Sequence, residues 1–496
     1  MKKYILFLII LLASFLRLYK LGSVPPSLYW DEASLGYNAY SILTTGHDEH
    51  GRFLPLTNFA AFGDYKPPGY IYATVPSIAV FGLNEFAIRF PSALFGILTV
   101  LLSYFLAKKL FENAVVALLT SFFLAISPWH LQFSRYDHEA NFMTFFSILG
   151  LVLFLYSFKK YPLFVASSVS FGIALNTYHG AKIWVPLFLL CIFYWYKKEI
   201  LSFGSKLLFP VLILAIFTLP IIGNFPQSLI RGESVGIFQN EKPLKTFISG
   251  YLSHYSPNFL FISGDPIGRH SVVGMGQLYI FELPLILLGL IALIQARTRD
   301  TKFFLAWLLL APIPSAMATP TPHALRSITF LPVWSIIAAY GAGSFAAFRI
   351  GNRLKLSIAL IVALLGLYNF ATYLHLYYKH EPKLKSPDWS DGYKEMVSYV
   401  VKVAKNYEII TISNYYGRPY VFVLFYSEYD PRLYQPQSAD KEKFDKYEFF
   451  GTSWEKKTPG KVLVVRPKWQ IPNPAPKYLK FIHGTSGDLI FRISEE

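Results

Sequence analysis

Long apolar runs separated by short polar connections organise most of the chain. The runs lie at residues 4–18, 86–106, 115–129, 141–158, 161–175, 183–196, 207–223, 278–295, 303–318, 327–348 and 356–376. They approach or reach the roughly 17 to 25 residues at which an apolar helix crosses a bilayer. The pattern predicts an all-α polytopic membrane protein with about eleven transmembrane helices. Residues 69–81 are apolar but short and interrupted by proline, and read as an interfacial or re-entrant piece. Near residue 380 the pattern changes, and Lys, Asp, Glu and Pro become frequent. Residues 393–405 place Met396, Val397, Val400, Val401 and Ala404 on one helical face. Residues 408–413, 461–466 and 489–493 read as strands. The predicted organisation is a transmembrane region at 1–379 and a small extracytoplasmic α/β domain at 380–496.

Composition agrees with the pattern. The chain is 53% hydrophobic and 18% aromatic with 15% charged residues, which excludes an ordinary soluble protein. A net charge of +16 could suit nucleic acid. No basic helix or aromatic RNA platform accompanies it, so nucleic acid is not an expected partner. The basic residues sit between apolar runs, where they determine topology. The single Cys191 excludes internal disulfides. Met1-Lys2-Lys3 before an apolar run resembles a signal peptide, but no small-residue cleavage site precedes Arg17 and Lys20, so an uncleaved first span is expected.

Basic residues fill every second connection: Lys2/Lys3, Lys108/Lys109, Lys159/Lys160, Lys197/Lys198/Lys206, Arg297/Arg299/Lys302 and Arg349/Arg353/Lys355. The positive-inside rule puts these in the cytoplasm. The remaining connections, and the tail, are then outside. They carry Asp31, Glu32 and Lys66; Arg135, Asp137, His138 and Glu139; His179 and Lys182; Arg269 and His270; and His323 and Arg326. Ionisable residues beside membrane spans are costly and usually functional. A carboxylate able to take a proton, among cations able to hold a phosphate, suits displacement of a phosphate leaving group.

Plainer roles stand beside these. Asp31 could cap a helix over residues 33–43, with Glu32 in its first turn. Lys66 before Pro67-Pro68 could be a turn residue, Arg89 an interfacial anchor, and Arg135 a surface partner of Asp137 or Glu139. His323 could be an ordinary loop residue. His47-Asp48-Glu49-His50 offers metal-ligand types, but consecutive residues seldom converge on one ion, and a solvated loop is the better expectation. Gly341-Ala-Gly343, inside a span, suits close helix packing.

Several motifs together resemble the polytopic glycosyltransferases that use polyprenyl-phosphate sugars, closest to the protein O-mannosyltransferase and aminoarabinose-transferase group. They are Trp30-Asp31-Glu32, Tyr65-Lys66-Pro67-Pro68, Asn84-Glu-Phe-Ala-Ile-Arg-Phe-Pro-Ser-Ala93, Ser127-Pro128 and Ser134-Arg-Tyr-Asp-His-Glu139. Ser256 to Asp265-Pro266 and on to Arg269-His270 resembles a long outer loop of prokaryotic members. The resemblance implies a GT-C-like fold with its active site at the outer face of the plasma membrane. It implies Asp31 as base, Glu32 beside it, and Asp137 or Glu139 as second acid. Lys66 and Arg89 would hold the lipid phosphate or order the site. From their places in the outer connections, Arg135, Arg269 and Arg326 are candidate further cations, and His179, Lys182, His270 and His323 candidate substrate contacts. The implied partners are a polyprenyl-phosphate sugar, an acceptor glycan, lipid or protein, and membrane lipid. No cofactor is required and no metal ligand set is assigned, with a divalent cation left open. The lumenal lectin-like insertion of the eukaryotic enzymes has no counterpart here, which weakens the case for a protein acceptor. The inferred reaction is a single inverting displacement. The rivals are a transporter or lipid flippase, which should show mid-bilayer charges and broken inverted repeats, and a membrane anchor for a binding module in the tail.

Overall fold

The structure, a computed structural model, describes residues 2–136, 138–223, 232, 235–440, 442–451 and 460–496. Helices stand on all the apolar runs. In chain order the elements that position the site are α1 (Lys2–Leu18), α2 (Trp30–Thr45), the hairpin β1 (Phe59–Ala61) and β2 (Asp64–Lys66), α3 (Pro68–Phe81) and α4 (Glu85–Phe111). They continue with α5 (Ala114–Ile126), α6 (Pro128–Ser134), α7 (Glu139–Ser157), α8 (Tyr161–Leu175), α9 (Ala181–Leu201) and α10 (Leu208–Gly223). After a long connection come α11 (Pro243–Ser253), α12 (Glu282–Ala296), α13 (Arg299–Leu310), α14 (Leu331–Ala346) and α15 (Asn352–His375).

Among the described residues, 5 helices are long and apolar enough to cross a membrane, or 6 if the pair α5 and α6, bent by 59°, is one span. The expected run at 115–129 breaks at Ser127-Pro128, where proline brings no N–H to the helix ladder. The run at 303–318 likewise ends as a helix at Leu310 and restarts at Ile313–Ala316 after Pro312. The apolar stretches of α10 and of residues 352–384 have almost no buried residues, as suits lipid-facing helices. Where helices meet, glycine sets the distance. A Cβ on Gly341 would strike the Leu285 carbonyl, and one on Gly289 the Ile337 carbonyl, so α12 and α14 pack backbone to backbone.

The basic connections at residues 108–109, 159–160, 197–206 and 297–302 gather at one end of the bundle. Arg299 pairs with Glu199, and Tyr196 Oη donates to Asp300 Oδ1 at 2.9 Å. Each of α4 and α7 begins at the other end, where Asp31 and Lys66 lie, and finishes beside one of these connections.

The tail forms α16 (Tyr393–Val403), β3 (Ile409–Ser413), α17 (Pro419–Tyr426), β4 (Lys443–Phe444), β5 (Tyr447–Phe450), β6 (Val462–Pro467), β7 (Lys477–His483) and β8 (Leu489–Glu495). The sheet order is β4-β5-β3-β6-β8-β7, with β3 parallel to β5 and β6. Met396, Val397 and Val400 of α16 are buried as expected, whereas Val401 is exposed, because it points away from the sheet side of the helix. The tail also packs on α2. Phe425 lies against Gly36, Tyr37 Oη donates to the Tyr429 carbonyl at 3.0 Å, and Gln435 Nε2 donates to Ser41 Oγ and Thr45 Oγ1. Gly417, at φ +127, sits on the Trp30 indole, where a Cβ would come within 2.7 Å of the ring.

The 47–50 segment is not the expected solvated loop. Asp48 and Glu49 are fully buried. Asp48 accepts from the Arg52 side chain at 2.7 Å and from two backbone amides, and Glu49 is held by Asn38. Both oxygens of Asp48 are hydrogen-bonded, and Glu49 Oε1 accepts from Asn38.

Candidate active site

Helix α2 begins at Tyr29, the residue that caps it, so Asp31 is its second residue and not its cap. Glu32, one turn in, accepts from the Tyr29 backbone N–H at 3.0 Å, which fixes how the chain enters the helix. Both oxygens of Glu32 also bond Arg89, at 2.9 and 3.1 Å. Arg89 spends its other donors on the carbonyls of Leu21, Pro25 and Ser27. Arg135 is used in the same way, on the carbonyls of Leu16, Arg17, Tyr19 and Val24 and on Tyr377 Oη. These carbonyls include the last ones of α1, which have no intrahelical partner. Arg135, expected at the donor phosphate, and Arg89, expected there or as a residue ordering the site, are therefore buried straps that hold the connection leading to Asp31.

Asp31 itself faces a cavity of about 180 Å³ lined by Tyr29, Asp31, Glu32, Lys66, Tyr136, His138, Glu139, Tyr178, His179, Ile267, Arg269, His270, His323, Leu325 and Arg326. Lys66, set in extended backbone on β2 before Pro67, reaches Asp31 Oδ1 at 2.8 Å. Burial pushes the Asp31 carboxyl up, but the Lys66 ammonium and its hydrogen bond outweigh this and hold it below its ordinary value. Burial likewise works against charge on Lys66, and Asp31, then Glu139 and Asp64, raise it above the ordinary lysine range. Arg269 lies flat over the Tyr29 ring, 3.6 Å from its centroid, and donates to the Asp388 carbonyl at 3.1 Å. Arg326 donates to the Thr319 carbonyl at 2.9 Å.

Histidines complete the wall. His138 Nδ1 accepts from the Ala140 N–H at 3.3 Å, and burial pushes this imidazole down to about 3. His270 Nδ1 is 2.9 Å from Asp265 Oδ2. Asp265 also accepts from the backbone of Ile267 at 2.8 Å and of Ala324 at 2.6 Å, so it ties the 265–270 and 323–326 segments together. His323 Nδ1 accepts from the Arg326 N–H at 3.3 Å. Burial lowers both His270 and His323, which favours their neutral forms.

Of the residues singled out in the sequence, Asp31, Glu32, Lys66, Glu139, His179, Arg269, His270, His323 and Arg326 meet at the cavity. Arg89, Arg135 and Lys182 do not line it, and Asp137 lies outside the described residues. Lys182 borders a neighbouring groove. The sequence reading assigned no role to Tyr29, Tyr136, His138, Tyr178 or Asp265. His138 stands between the two candidate acids, and Asp265 precedes His270 by five residues, which was the available signal. Asp265, His270 and His323 offer ligand atoms within 4.8 Å of one another. The Asp265 oxygen facing His270 accepts two hydrogen bonds, one from His270, whereas His323 meets His270 by ring contact and accepts the Arg326 N–H at Nδ1.

The family model for dolichyl-phosphate-mannose-protein mannosyltransferase matches residues 7–230. The chain is 28% identical over 235 residues to the putative mannosyltransferase YkcB of Bacillus subtilis (strain 168), which covers 45% of this chain and 31% of that protein. It is 29% identical over 163 residues to an uncharacterized protein of Aquifex aeolicus (strain VF5), covering 31% of this chain and 33% of that one. The chain thus spans about a third of the length of these curated relatives. ArnT from Cupriavidus metallidurans bound to undecaprenyl phosphate superposes with a TM-score of 0.56 at 14% identity, covering 99% of this chain and 97% of that one. The apo oligosaccharyltransferase of Archaeoglobus fulgidus gives 0.56 at 13% identity, covering 86% and 64%. The chain shares the fold of ArnT and of the archaeal oligosaccharyltransferase, and over residues 7–230 its sequence is similar to the dolichyl-phosphate-mannose-protein mannosyltransferases.

Proposed function

We propose that this chain is a membrane glycosyltransferase that moves a sugar from a polyprenyl phosphate to an acceptor glycan, lipid or protein outside the cytoplasm. One observation carries the reading. The polar cavity holding Asp31, Lys66 and Arg269 meets, at Tyr178, His179 and Arg326, an apolar groove of about 440 Å³ lined by Ile183, Ile221, Val235, Phe238, Pro314 and Met317. A lipid phosphate needs this join: a groove for the isoprenoid, cations at the mouth for the phosphate, and a polar chamber for the sugar. The ArnT structure of the same fold holds undecaprenyl phosphate.

The chemistry is one inverting displacement. Asp31 takes the acceptor hydroxyl proton as that oxygen bonds to the anomeric carbon. The bond from that carbon to the phosphate oxygen breaks, and its electron pair leaves on the lipid phosphate. Lys66, Arg269 and Arg326 stabilise the developing charge without a metal ion. Lys66 links the two events: drawn toward the phosphate, it relaxes its hold on Asp31, whose carboxylate becomes a stronger base when donor is bound. Glu32 acts through Arg89, as a positioning residue. In this reading the basic connections face the cytoplasm of the plasma membrane, and the cavity and the α/β tail face outward.

The test is transfer by purified protein from radiolabelled short-chain prenyl-phosphate sugars to an envelope glycan, lipid or peptide extract. Arg326→Ala should raise the donor concentration required. Failure of every prenyl-phosphate sugar to be consumed or bound would overturn the reading.

A further inference from the structure

Four histidines line the cavity, and for His138, His270 and His323 the partner of Nδ1 fixes what each presents to it. A backbone N–H can only donate, so His138 and His323, which accept one at Nδ1, carry their proton on Nε2 when neutral. A carboxylate can only accept, so His270 donates Nδ1–H to Asp265, and its Nε2 is left with a lone pair. The rings of His270 and His323 are 4.7 Å apart between centroids and inclined at 49°. With each Nδ1 engaged, the polar atom each ring can offer the cavity is Nε2. A donor and an acceptor therefore stand side by side in the wall.

Both are built in. Asp265 is buried and bonded at both oxygens. The His323 backbone N–H donates to His254 Nε2 at 3.2 Å, and His254 is itself held by Gly250 and Ser315. Each histidine also adjoins a cation assigned to the phosphate, Arg269 next in sequence to His270, and Arg326 three residues after His323. The pair and both arginines line one cavity, so a sugar carried on a phosphate held by the arginines would come within reach of the pair.

We propose that His270 and His323 read one hydroxyl of the donor sugar, which donates to His270 Nε2 and accepts from His323 Nε2–H. The inference rests on the glycosyltransferase reading and deepens it by naming the sugar class. A hydroxyl satisfies both atoms. An ammonium group satisfies His270 but confronts the His323 N–H, and a carboxylate does the reverse. The donor is therefore a neutral, hydroxylated sugar at this position, not an amino or acidic one. A site built around a hydroxyl rejects the analogue lacking it strongly, because buried polar groups are left unpaired.

The experiment uses full-length protein and a panel of citronellyl-phosphate sugars: neutral hexoses, the monodeoxy derivatives of the preferred hexose, and 4-amino-4-deoxy-arabinose. Wild type should prefer a hexose and lose at least about a hundredfold in kcat/KM for one monodeoxy derivative. His270→Asn keeps an N–H for Asp265 and removes the cavity atom. His323→Asn keeps an acceptor for the Arg326 N–H and does the same. Each should bring the hydroxy-to-deoxy ratio near one with Tm preserved, and His323→Gln, which restores an N–H near the Nε2 position, should recover part of it. A variant that melts early is judged on the ratio of its residual activities, which a loss of folded protein leaves unchanged. Unchanged ratios in both Asn variants would overturn the proposal, as would a wild type that prefers the amino sugar. Loss of activity with chelator that Zn²⁺ restores in wild type but not in the Asn variants would overturn it in favour of a metal site. A wild type that uses no sugar in the panel would instead overturn the glycosyltransferase reading beneath it.

Discussion

Replacing Asp31 by Asn separates its chemistry from its place in the fold. Asp31 is the second residue of α2, and its carboxylate bonds Lys66 across 2.8 Å with side chains 28% and 14% exposed. Removing the charge leaves Lys66 beside a neutral amide but still within reach of Glu139 and Asp64. For a half-open pair the stability loss lies between the values for exposed and buried pairs, about 1–3 kcal/mol. The amide cannot accept a proton, so transfer should fall by about 10²–10⁴-fold, or roughly 3–5 kcal/mol of barrier. Donor affinity should hold or improve, because a negative charge beside the phosphate is gone. Glu32→Gln gives the contrast. Glu32 is 1% exposed and both its oxygens bond Arg89, so breaking this pair should cost about 3–5 kcal/mol of stability. The assay is single-turnover transfer from a radiolabelled prenyl-phosphate sugar, with equilibrium donor binding and Tm on the same preparations. Asp31→Asn turning over within several-fold of wild type, with normal folding, would refute Asp31 as base and pass the role to the acids at the start of α7.

Lys66→Ala should weaken donor binding and slow transfer, with partial recovery in Lys66→Arg, where the charge returns in another shape; normal donor use by Lys66→Ala would leave the phosphate to Arg269 and Arg326 alone. His138, His254, His270 and His323 are all lowered from 6.5 by burial, with His138 falling to about 3 and His254 to about 4. Because the folded state favours their neutral forms, stability is complete above pH 6.5 and should fall below it, by up to about 1.4 kcal/mol per pH unit for His138 and for His254 down to their folded values; a flat melting temperature from pH 7 to 5 would contradict this. The Asp31–Lys66 pair behaves differently, since its acid limb lies below the ordinary carboxylate range and its alkaline limb above the ordinary lysine range, so the transfer rate should show no inflection from it between pH 5 and 9. Reporter fusions after Lys198 and after Ser390 should report opposite compartments, and the same compartment for both would break the proposed orientation.

Much of the helical framework was legible because an apolar run must become a helix in a bilayer, where no water can satisfy the backbone. The start and end of Tyr161–Leu175 fall where the run does. What hydropathy could not show was where a run bends, since Pro128 and Pro312 count almost as apolar neighbours yet break the hydrogen-bond ladder. In the tail, strands rich in Val and Ile were visible, but α17 was not. Its sequence, Pro-Tyr-Val-Phe-Val-Leu-Phe-Tyr, reads as a strand by residue type, and its burial between the sheet and α2 decides for helix.

The site shows a sharper limit. Asp31, Lys66, Arg269 and Arg326 were found because they border apolar runs on one predicted side, and the same rule drew in Arg89 and Arg135. Nothing in the sequence separates the two groups, because an arginine at a helix end answers two demands. The end of a helix leaves carbonyls without partners and carries negative dipole charge, so a guanidinium there can be wholly spent on the fold. Arg135 and Arg89 meet that demand on the connection between α1 and α2. Arg269 and Arg326 also donate to backbone carbonyls, those of Asp388 and Thr319, but each lines the cavity as well. The buried arginines act on the chemistry from a distance, because the chain they hold is the one that delivers Asp31 to Lys66.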